Sequence, residues 1–358
     1  MPMQRPTLPD PNDPDLEKTL HVANGDVVAD LLAETDIRGE VLVWRDVLSE
    51  GPVPPDLSLV NLGAARARFL DERGWMPYLA ARADLAKRDS ILSFVPRLRD
   101  ELVLWFEHDL HDQLQLIQIL DRFGARGPEK LRISLVTADR YPGIEPFHGL
   151  GQLDADQLSG LFPTRSEIGM DHCRLARRAW QAFRASDPTE IERFLGEDTS
   201  ALPFLAPALR RHLAQFPAAD TGLSMTETLT LRVLADGPLA PVQLFLAVQD
   251  LEATPFMGDL AFWWHLERLA GGSQPLLRLA DGGAFVAPRP AREEDGTPLF
   301  DGPALELTQT GADVLAGRLD WATLSPPDRW LGGVHLALGA PLWRWDPGTE
   351  KLVAPGSD

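Results

Sequence analysis

Polar side chains follow three apolar segments of the N-terminal half, each at the point where the segment ends. Carboxylates held close together repel one another unless a cation neutralises them, and such clusters often bind Mg²⁺ or Mn²⁺. A metal-bound water could then attack a phosphoryl or carbonyl centre while a histidine carries the proton. The polar residues are Asn24, Gly25 and Asp26 after the first segment, Trp44 and Asp46 after the second, Glu50 in the turn that follows, and Glu107, His108 and Asp109 after the third.

Residue type assigns candidate roles within this group. His108 and Asp109 are the candidate catalytic residues, with His108 moving the proton. Asp26, Asp46 and Asp109 are the candidate ligands of a divalent metal such as Mg²⁺ or Mn²⁺. The alternative for Asp26 and Asp109 is structural, because each precedes a predicted helix and can cap its free amides.

A ligand site at the same place is the second hypothesis. The turn from the first segment into the next helix presents backbone amides and the positive end of a helix dipole, which suits a phosphorylated small molecule. No nucleotide-binding fingerprint is present. An arginine on a following helix could supply a cation, although an exposed arginine is usually only solvated. The candidate ligand-binding residues are Asn24, Gly25, Asp26, Asp46, Glu50 and Arg66.

The alternation of apolar segments and helical patterns predicts how these residues are positioned. Segments at 19–25, 40–46, 101–109 and 130–139 have the composition of buried strands, and helical patterns lie between them. This order predicts an α/β fold with a Rossmann-like parallel sheet, whose ligands bind beyond the carboxyl ends of the strands. The predicted organisation is a disordered tail (1–17), an α/β domain (18–150), a helical segment (151–220) and a winged-helix-like α+β domain with an aromatic C-terminal segment (221–358).

The winged-helix prediction comes from the order of elements after residue 221. Ser224 and Glu227 have capping-box spacing at the start of the first of three helix candidates. A hairpin is predicted around 281–283, and a strand and a short helix follow within 305–317. The third helix candidate, 259–270, holds Arg268 as its only Arg or Lys, so DNA binding is disfavoured.

The amino-acid composition restricts the binding partners and the cellular compartment that we expect for this protein. The chain has 358 residues, with 34 Lys and Arg against 53 Asp and Glu, for a net charge of −19. A surface this acidic repels phosphate backbones and anionic lipid. A single cysteine, Cys173, excludes an intrachain disulfide, and neither a signal-peptide pattern nor an apolar run of membrane-spanning length is visible. We therefore expect a soluble, cytoplasmic protein.

Two other function classes stay open. One is a non-catalytic adaptor or regulatory protein, in which the aromatic face Phe262–Trp264 contacts a protein partner or a second copy of the chain. The weaker one is a nucleic-acid-processing protein that uses the arginines between 165 and 211 as its basic surface. The simpler interpretation of those arginines is a set of solvated or acid-paired helix faces.

Several motifs together carry a family resemblance. They are His21–Asp26, Val43–Asp46, Glu50–Pro52, Leu104–Asp109 with Gln113, Thr308 with Gly311, Asp328–Gly333 with His335, and Trp343–Asp346. With these motifs the chain resembles a bacterial family of domains of unknown function, including the winged-helix-like extension often attached to it. The likeness covers most of residues 19–346 and implies that both halves belong to one architecture. It implies no particular activity.

Overall fold

The computed structural model describes residues 17–124, 130–289 and 302–356, so the predicted tail lies almost entirely outside the described residues. The first elements are β1 (Thr19–Ala23), α1 (Asp26–Ala33), β2 (Glu40–Val43), β3 (Gly51–Pro52), α2 (Leu59–Glu72), α3 (Tyr78–Leu98), β4 (Glu101–Trp105), α4 (Leu110–Asp121), β5 (Arg132–Val136), α5 (Ala155–Leu161), β6 (Ser166–Glu167) and α6 (Met170–Arg184). The remaining ones are α7 (Thr189–Leu195), α8 (Leu205–Leu213), α9 (Met225–Ala235), α10 (Pro241–Leu251), α11 (Asp259–Ala270), β7 (Leu277–Leu279), β8 (Leu305–Leu307), α12 (Gln309–Leu315), α13 (Trp321–Leu324), β9 (Arg329–Gly332), β10 (Val334–Leu336), β11 (Arg344–Asp346) and β12 (Lys351–Val353).

The chain is a mixed α/β protein that divides into two compact units, and each unit is built from separate stretches of sequence. The first unit comprises Met1–Asp46, Asp84–His108 and Gln115–Arg177. The second comprises Val47–Ala83, Asp109–Leu114 and Arg178–Asp358. Within the described part of the chain, no helix combines the length and the apolar character needed to cross a membrane.

The first unit contains a five-stranded sheet in the order β2-β1-β4-β5-β6. The first four of these strands are parallel, and β6 runs antiparallel to β5 at the edge. All four predicted strands are therefore confirmed, whereas the two-residue strand β6 was not predicted. The register pairs Ala23 with Val43 and with Trp105, and Trp105 with Val136, so the four parallel strands end level. The polar residues that follow β1, β2 and β4 thus start from one edge of the sheet.

Burial explains why these strands are nearly continuous apolar runs. Every residue of β4 is buried, as expected for a central strand of a parallel sheet with both faces covered. The core beside it comprises Ala23, Val28, Leu32, Val103, Trp105, Val136, Leu150, Leu153 and Leu158. The buried ring of His21 is satisfied there: Trp105 Nε1 donates to its Nδ1 at 3.1 Å, and its Nε2 donates to the Arg38 carbonyl at 3.1 Å. Burial lowers the pKa of His21, so this ring is a neutral structural group.

In the second unit, the helices α9, α10 and α11 are followed by the antiparallel pair β7–β8 and by α12. The hairpin prediction around 281–283 is wrong in one respect, because β7 pairs with Leu305–Leu307 rather than with the residues directly after Gly283. Those residues, 284–289, form no strand. Pro288 lies in this stretch, and a proline has no backbone N–H to donate to a sheet.

A second sheet of this unit joins distant parts of the sequence. The strand β3 pairs in parallel with β9, with Gly51 opposite Leu331, and β9 pairs antiparallel with β10. The sequence predicts a loop for residues 47–60, so β3 was missed. Two residues, one of them a proline, carry no periodicity, and their pairing partner is far away in the sequence.

The capping box predicted at the start of α9 is confirmed, and it carries a testable consequence. The Ser224 Oγ accepts from the Glu227 amide at 3.3 Å, and the Glu227 carboxylate accepts from the Ser224 amide at 2.8 Å. We expect Ser224→Ala to lower the free energy of unfolding by about 1 kcal/mol, because one helix amide loses its acceptor. Urea unfolding measures this, with Ser93→Ala as control, since Ser93 is exposed within α3 and alanine favours a helix. Equal losses in both variants would contradict the prediction.

Candidate functional site

The carboxyl edge of the parallel sheet carries an exposed ion pair at the start of α1. Arg45, which follows β2, pairs with the Asp26 carboxylate, with Nε donating to Oδ2 at 3.2 Å, and its Nη1 lies 3.6 Å from Asp84. The side chains of Asp26 and Arg45 are 60% and 43% exposed. A Cβ atom added to Gly25, the residue that precedes α1, would meet nothing within 4 Å. The beginning of this helix therefore adjoins open space and has a guanidinium group beside it.

His108, which follows β4, has one ring tautomer fixed by the backbone. Its Nδ1 lies 3.2 Å from the Ala138 carbonyl oxygen. A carbonyl can only accept, so Nδ1 carries the proton and Nε2 carries the lone pair. Burial lowers the pKa of His108, with the Ala138 carbonyl opposing that shift, so the ring is neutral at neutral pH. A neutral imidazole with a basic Nε2 is the form that a general base requires.

Asp46 and Trp44, which follow β2, are held in the core of the first unit rather than at its open edge. The Asp46 carboxylate is buried 3.4 Å from Arg88 Nη2, and the Arg88 guanidinium lies over the Trp44 ring at 4.3 Å. The Trp44 indole donates to Gln118 at 2.9 Å. Removing the Asp46 charge would leave the buried Arg88 with Asp89 at 3.8 Å as its remaining ion-pair partner among the described residues, so a loss of stability would confuse the result and Asp46 is a poor probe of metal binding. Asp26 is the better probe.

Asp109 belongs to the second unit and caps α4. Its Oδ1 accepts from the Asp112 amide at 3.0 Å. Burial raises the pKa of Asp109 to about 6, although backbone hydrogen bonds from Asp112 and His111 act in the opposite direction. Asp109 and Asp112 each offer a carboxylate oxygen, and these oxygens lie within 4.8 Å of each other. Two acids on one helical turn are also explained by capping, so this pair by itself does not define a metal site.

Glu50 and Arg66 also belong to the second unit. Arg66 is buried and donates to the carbonyl oxygens of Glu50 at 2.6 Å and of Val47 at 2.8 Å, so it holds the turn that contains β3. The Glu50 carboxylate accepts from Arg329 at 2.7 Å and from His265 Nε2 at 3.1 Å. The structure thus brings Glu50 together with residues of the C-terminal half that the sequence did not single out as partners.

Glu50 is one end of a buried charged network. His265 lies between two carboxylates, because its Nδ1 is 3.6 Å from Glu227, which in turn accepts from Arg268 at 3.1 Å. Burial alone would raise the pKa of Glu50, but Arg329 and His265 hold it below its ordinary value. Burial would also raise the pKa of Glu227, but Arg268 and His265 hold that pKa well below its usual range. Both acids are therefore ionised, and the two arginines balance their charge.

A pocket adjoins this network within the second unit. It encloses about 260 Å³, counting the part open to solvent. Its lining residues are Gln215, Pro217, Gly222, Ser224, Glu227, Arg268, Trp321, Ala322, Ser325, Pro327 and Arg329. Sequence reasoning missed this pocket. The available signal was His265, a polar residue within the otherwise apolar stretch 261–266 of α11, because a histidine inside such a stretch needs a buried partner.

The aromatic face proposed for a protein partner is buried. Phe262, Trp263 and Trp264 are at most 7% exposed. The Phe245 ring of α10 lies 5.4 Å from the ring of Phe262 and 5.7 Å from that of Trp263. These side chains form the core between two helices of the second unit. A Trp263→Ala substitution would therefore report on stability rather than on partner binding.

Several arginines between 165 and 211 have acid or carbonyl partners within their own unit. In the first unit Arg165 donates to Glu101 at 3.2 Å. In the second, Arg178 pairs with Glu197 at 2.7 Å, Arg184 donates to the Pro54 carbonyl at 2.6 Å, and Arg211 donates to Glu252. These contacts favour the interpretation that they are paired structural residues.

The chain matches no protein-family model, and no curated protein sequence is significantly similar to it. The family resemblance drawn from the sequence motifs therefore stays a prediction.

Proposed function

We propose that this protein binds a small phosphorylated molecule at the carboxyl edge of its parallel sheet and that His108 transfers a proton during hydrolysis of that molecule. The observation that carries the proposal is the fixed tautomer of His108 at the end of β4, where the parallel strands end level. Ligands of open parallel sheets bind at this edge, beyond the strand ends.

Arg45 and the beginning of α1 supply the features that a phosphoryl group needs. Free amides and the positive end of the helix dipole attract anions, and open space adjoins Gly25. Arg45 adds a guanidinium that is well suited to phosphate oxygens. Asp26 currently neutralises it, so the ligand has to replace the Asp26–Arg45 contact or reach Asp26 through a divalent cation.

The proposed chemistry is attack by water on phosphorus. The His108 Nε2 accepts a proton from the water as its oxygen bonds to phosphorus. The bond between phosphorus and the ester oxygen breaks, and the leaving alkoxide takes a proton from solvent water to depart as an alcohol, leaving inorganic phosphate. A general base of this kind contributes about 10²- to 10⁴-fold to the rate.

We expect His108→Gln to lower hydrolysis of a responsive phosphate monoester by about 100-fold or more, because glutamine cannot take up the proton. The assay screens phosphorylated metabolites and p-nitrophenyl phosphate with EDTA, Mg²⁺ or Mn²⁺. His172→Gln, a histidine on α6 of the same unit, is the matched control and should retain the wild-type rate. Equal rates in the two variants would remove His108 from the mechanism.

The metal-dependent form of the hypothesis keeps Asp26 of the predicted set Asp26, Asp46 and Asp109, because Asp46 is paired with Arg88 in the core and Asp109 belongs to the other unit. Asp26 is the exposed member of this set, and we expect a metal that binds there to raise the melting temperature of the wild type by mass action. Asp26→Asn should abolish the increase. An identical increase in melting temperature in both proteins would show that the metal binds at another site.

We further propose that the sheet of the first unit is Rossmann-like, that the predicted domain 221–358 is winged-helix-like, and that the protein acts in the cytoplasm. The order of three helices, a strand pair and a short helix supports the second assignment. The adaptor hypothesis stays the alternative, with a surface other than the buried Phe262–Trp264 face. Size-exclusion chromatography with light scattering distinguishes a monomer from a homo-oligomer.

A further inference from the structure

The loop that follows β5 is anchored at both of its ends to the two residues that follow β4. At its beginning, the Ala138 carbonyl oxygen lies 3.2 Å from His108 Nδ1. At its end, the Leu150 amide donates to the buried Glu107 carboxylate at 2.6 Å. All four residues belong to the first unit, and β4 and β5 end level at the edge where we place the ligand. The loop therefore borders the proposed site beside His108.

The contact of this loop with Glu107 brings His148 to the same place. A Cβ atom added to Gly149 would lie 1.6 Å from the Glu107 Oε2 atom, so a glycine is needed for the backbone to approach this carboxylate. The Gln152 Oε1 atom accepts from the amides of His148 and Gly149, at 2.5 and 3.3 Å, and fixes the turn further. His148 directly precedes the glycine that contacts Glu107, and His108 directly follows Glu107.

The two histidines interact electrostatically, and the ring of His148 is free to bond to a ligand. Burial lowers the pKa of His108, and repulsion by His148 adds to this shift, as expected for two imidazoles near each other. His148 is half-buried, and nothing among the residues that the structure describes forms a hydrogen bond or an ion pair with its ring. The ring can therefore donate a proton to a molecule bound beside His108.

We infer that His148 is a second catalytic residue of the hydrolysis, an inference that rests on the proposed function, and that it protonates the leaving group in place of solvent water. The His108 Nε2 takes the proton of the attacking water as its oxygen bonds to phosphorus. The bond between phosphorus and the ester oxygen breaks, and its electron pair stays on that oxygen. A ring nitrogen of protonated His148 donates to this oxygen, so an alcohol and inorganic phosphate leave. Proton exchange with solvent then restores both rings, and histidine suits both roles because its charge changes near neutral pH.

Two aryl phosphates of nearly the same shape test this role. p-Nitrophenolate is a weak base that leaves without a proton, whereas the phenolate released from phenyl phosphate is a much stronger base. We expect His148→Gln to lower kcat for phenyl phosphate by about 100-fold and kcat for p-nitrophenyl phosphate far less. His108→Gln should lower both rates alike, because the base acts on the attacking water. A matching melting temperature of His148→Gln and wild type shows that the variant is folded.

A binding measurement separates this inference from the proposed function. In protein labelled with ¹³C at the histidine Cε1 positions, the variants His108→Gln and His148→Gln assign two of the signals. Titration with inorganic phosphate should move both signals with one dissociation constant, and sodium chloride at equal ionic strength should move neither. The signal of His172 on α6 is the control and should stay in place.

The possible results are distinct. A phosphate-dependent shift of the His108 signal alone would overturn the role of His148 and leave the proposed function standing. If neither signal responds to phosphate, both the inference and the proposed function are wrong. Equal losses of kcat for the two aryl phosphates in His148→Gln would show that His148 does not act as the acid, and so would unchanged rates with both.

Discussion

Arg329→Met is expected to lower the free energy of unfolding by about 3–5 kcal/mol, because it leaves a buried carboxylate without its cation. Glu50 and Arg329 have side chains that are 1% and 4% exposed, and 2.7 Å separates their charged atoms. In the variant the Glu50 carboxylate keeps its hydrogen bond with His265 but loses its arginine partner. Urea unfolding at pH 7, followed by tryptophan fluorescence, measures the loss.

A double-variant cycle shows that the loss comes from the unpaired charge. Glu50→Gln combined with Arg329→Met removes both charges and should recover a large part of the stability lost in the single variant. The matched control is Arg318→Met, which breaks an ion pair with Asp313 whose side chains are 60% and 27% exposed. That change should cost less than about 1 kcal/mol. A similar small loss for Arg329→Met would show that Glu50 is solvated or protonated.

His212→Leu is expected to make the second unit less sensitive to acid. His212 is fully buried, and neither ring nitrogen has a hydrogen-bond partner among the residues that the structure describes. Burial lowers the pKa of His212 to about 3. The unfolded chain takes up a proton near the ordinary pKa of about 6.5, whereas the native protein does not. The contribution of this neutral ring to the free energy of unfolding is therefore fully present above pH 6.5 and is lost as the pH falls towards 3.

The measurable quantity is the difference between the two proteins as a function of pH. Between pH 7 and pH 5, protonation of this ring in the unfolded chain should lower the free energy of unfolding of the wild type by about 2 kcal/mol. The variant lacks the ring and should show no loss from this source. The rings of Phe183 and Phe216 pack around His212 at 5.0 and 6.2 Å, and leucine keeps an apolar side chain among them. Above pH 7 the two stability curves should run parallel. Parallel curves down to pH 5 would contradict a buried neutral histidine.

Local patterns were sufficient to predict the four parallel strands of the first unit. Each parallel strand is a short apolar run, and the level strand ends follow from their register, so the sequence correctly grouped the residues after β1, β2 and β4. The burial and the ion-pair partners of individual side chains could not be predicted from the sequence. Asp46 turns into the core because Arg88 is there, and the Asp26–Arg45 pair depends on which way two turns leave the sheet. Neither fact has a signature in residue spacing.

The network of the second unit could not be predicted for a different reason. Glu50 meets His265 and Arg329 across 215 and 279 positions of sequence. Periodicity reports on neighbours within a few turns, and nothing local to Glu50 indicates a partner that far away. His265, a polar residue in a buried helix, was the one visible sign that a counterpart had to exist.

The pairing of β3 with β9 also determines when this protein can finish folding. During synthesis at about 5–20 residues per second, Glu50 emerges on the order of 15–60 s before Arg329, which lies 279 positions later. For that time the turn around β3 has neither its strand partner nor the cation of its carboxylate. A messenger that ends translation anywhere before codon 329 would yield a chain with this turn permanently exposed. Cellular quality control should recognise such chains, so we expect premature stop codons to deplete the protein even when they fall late in the gene.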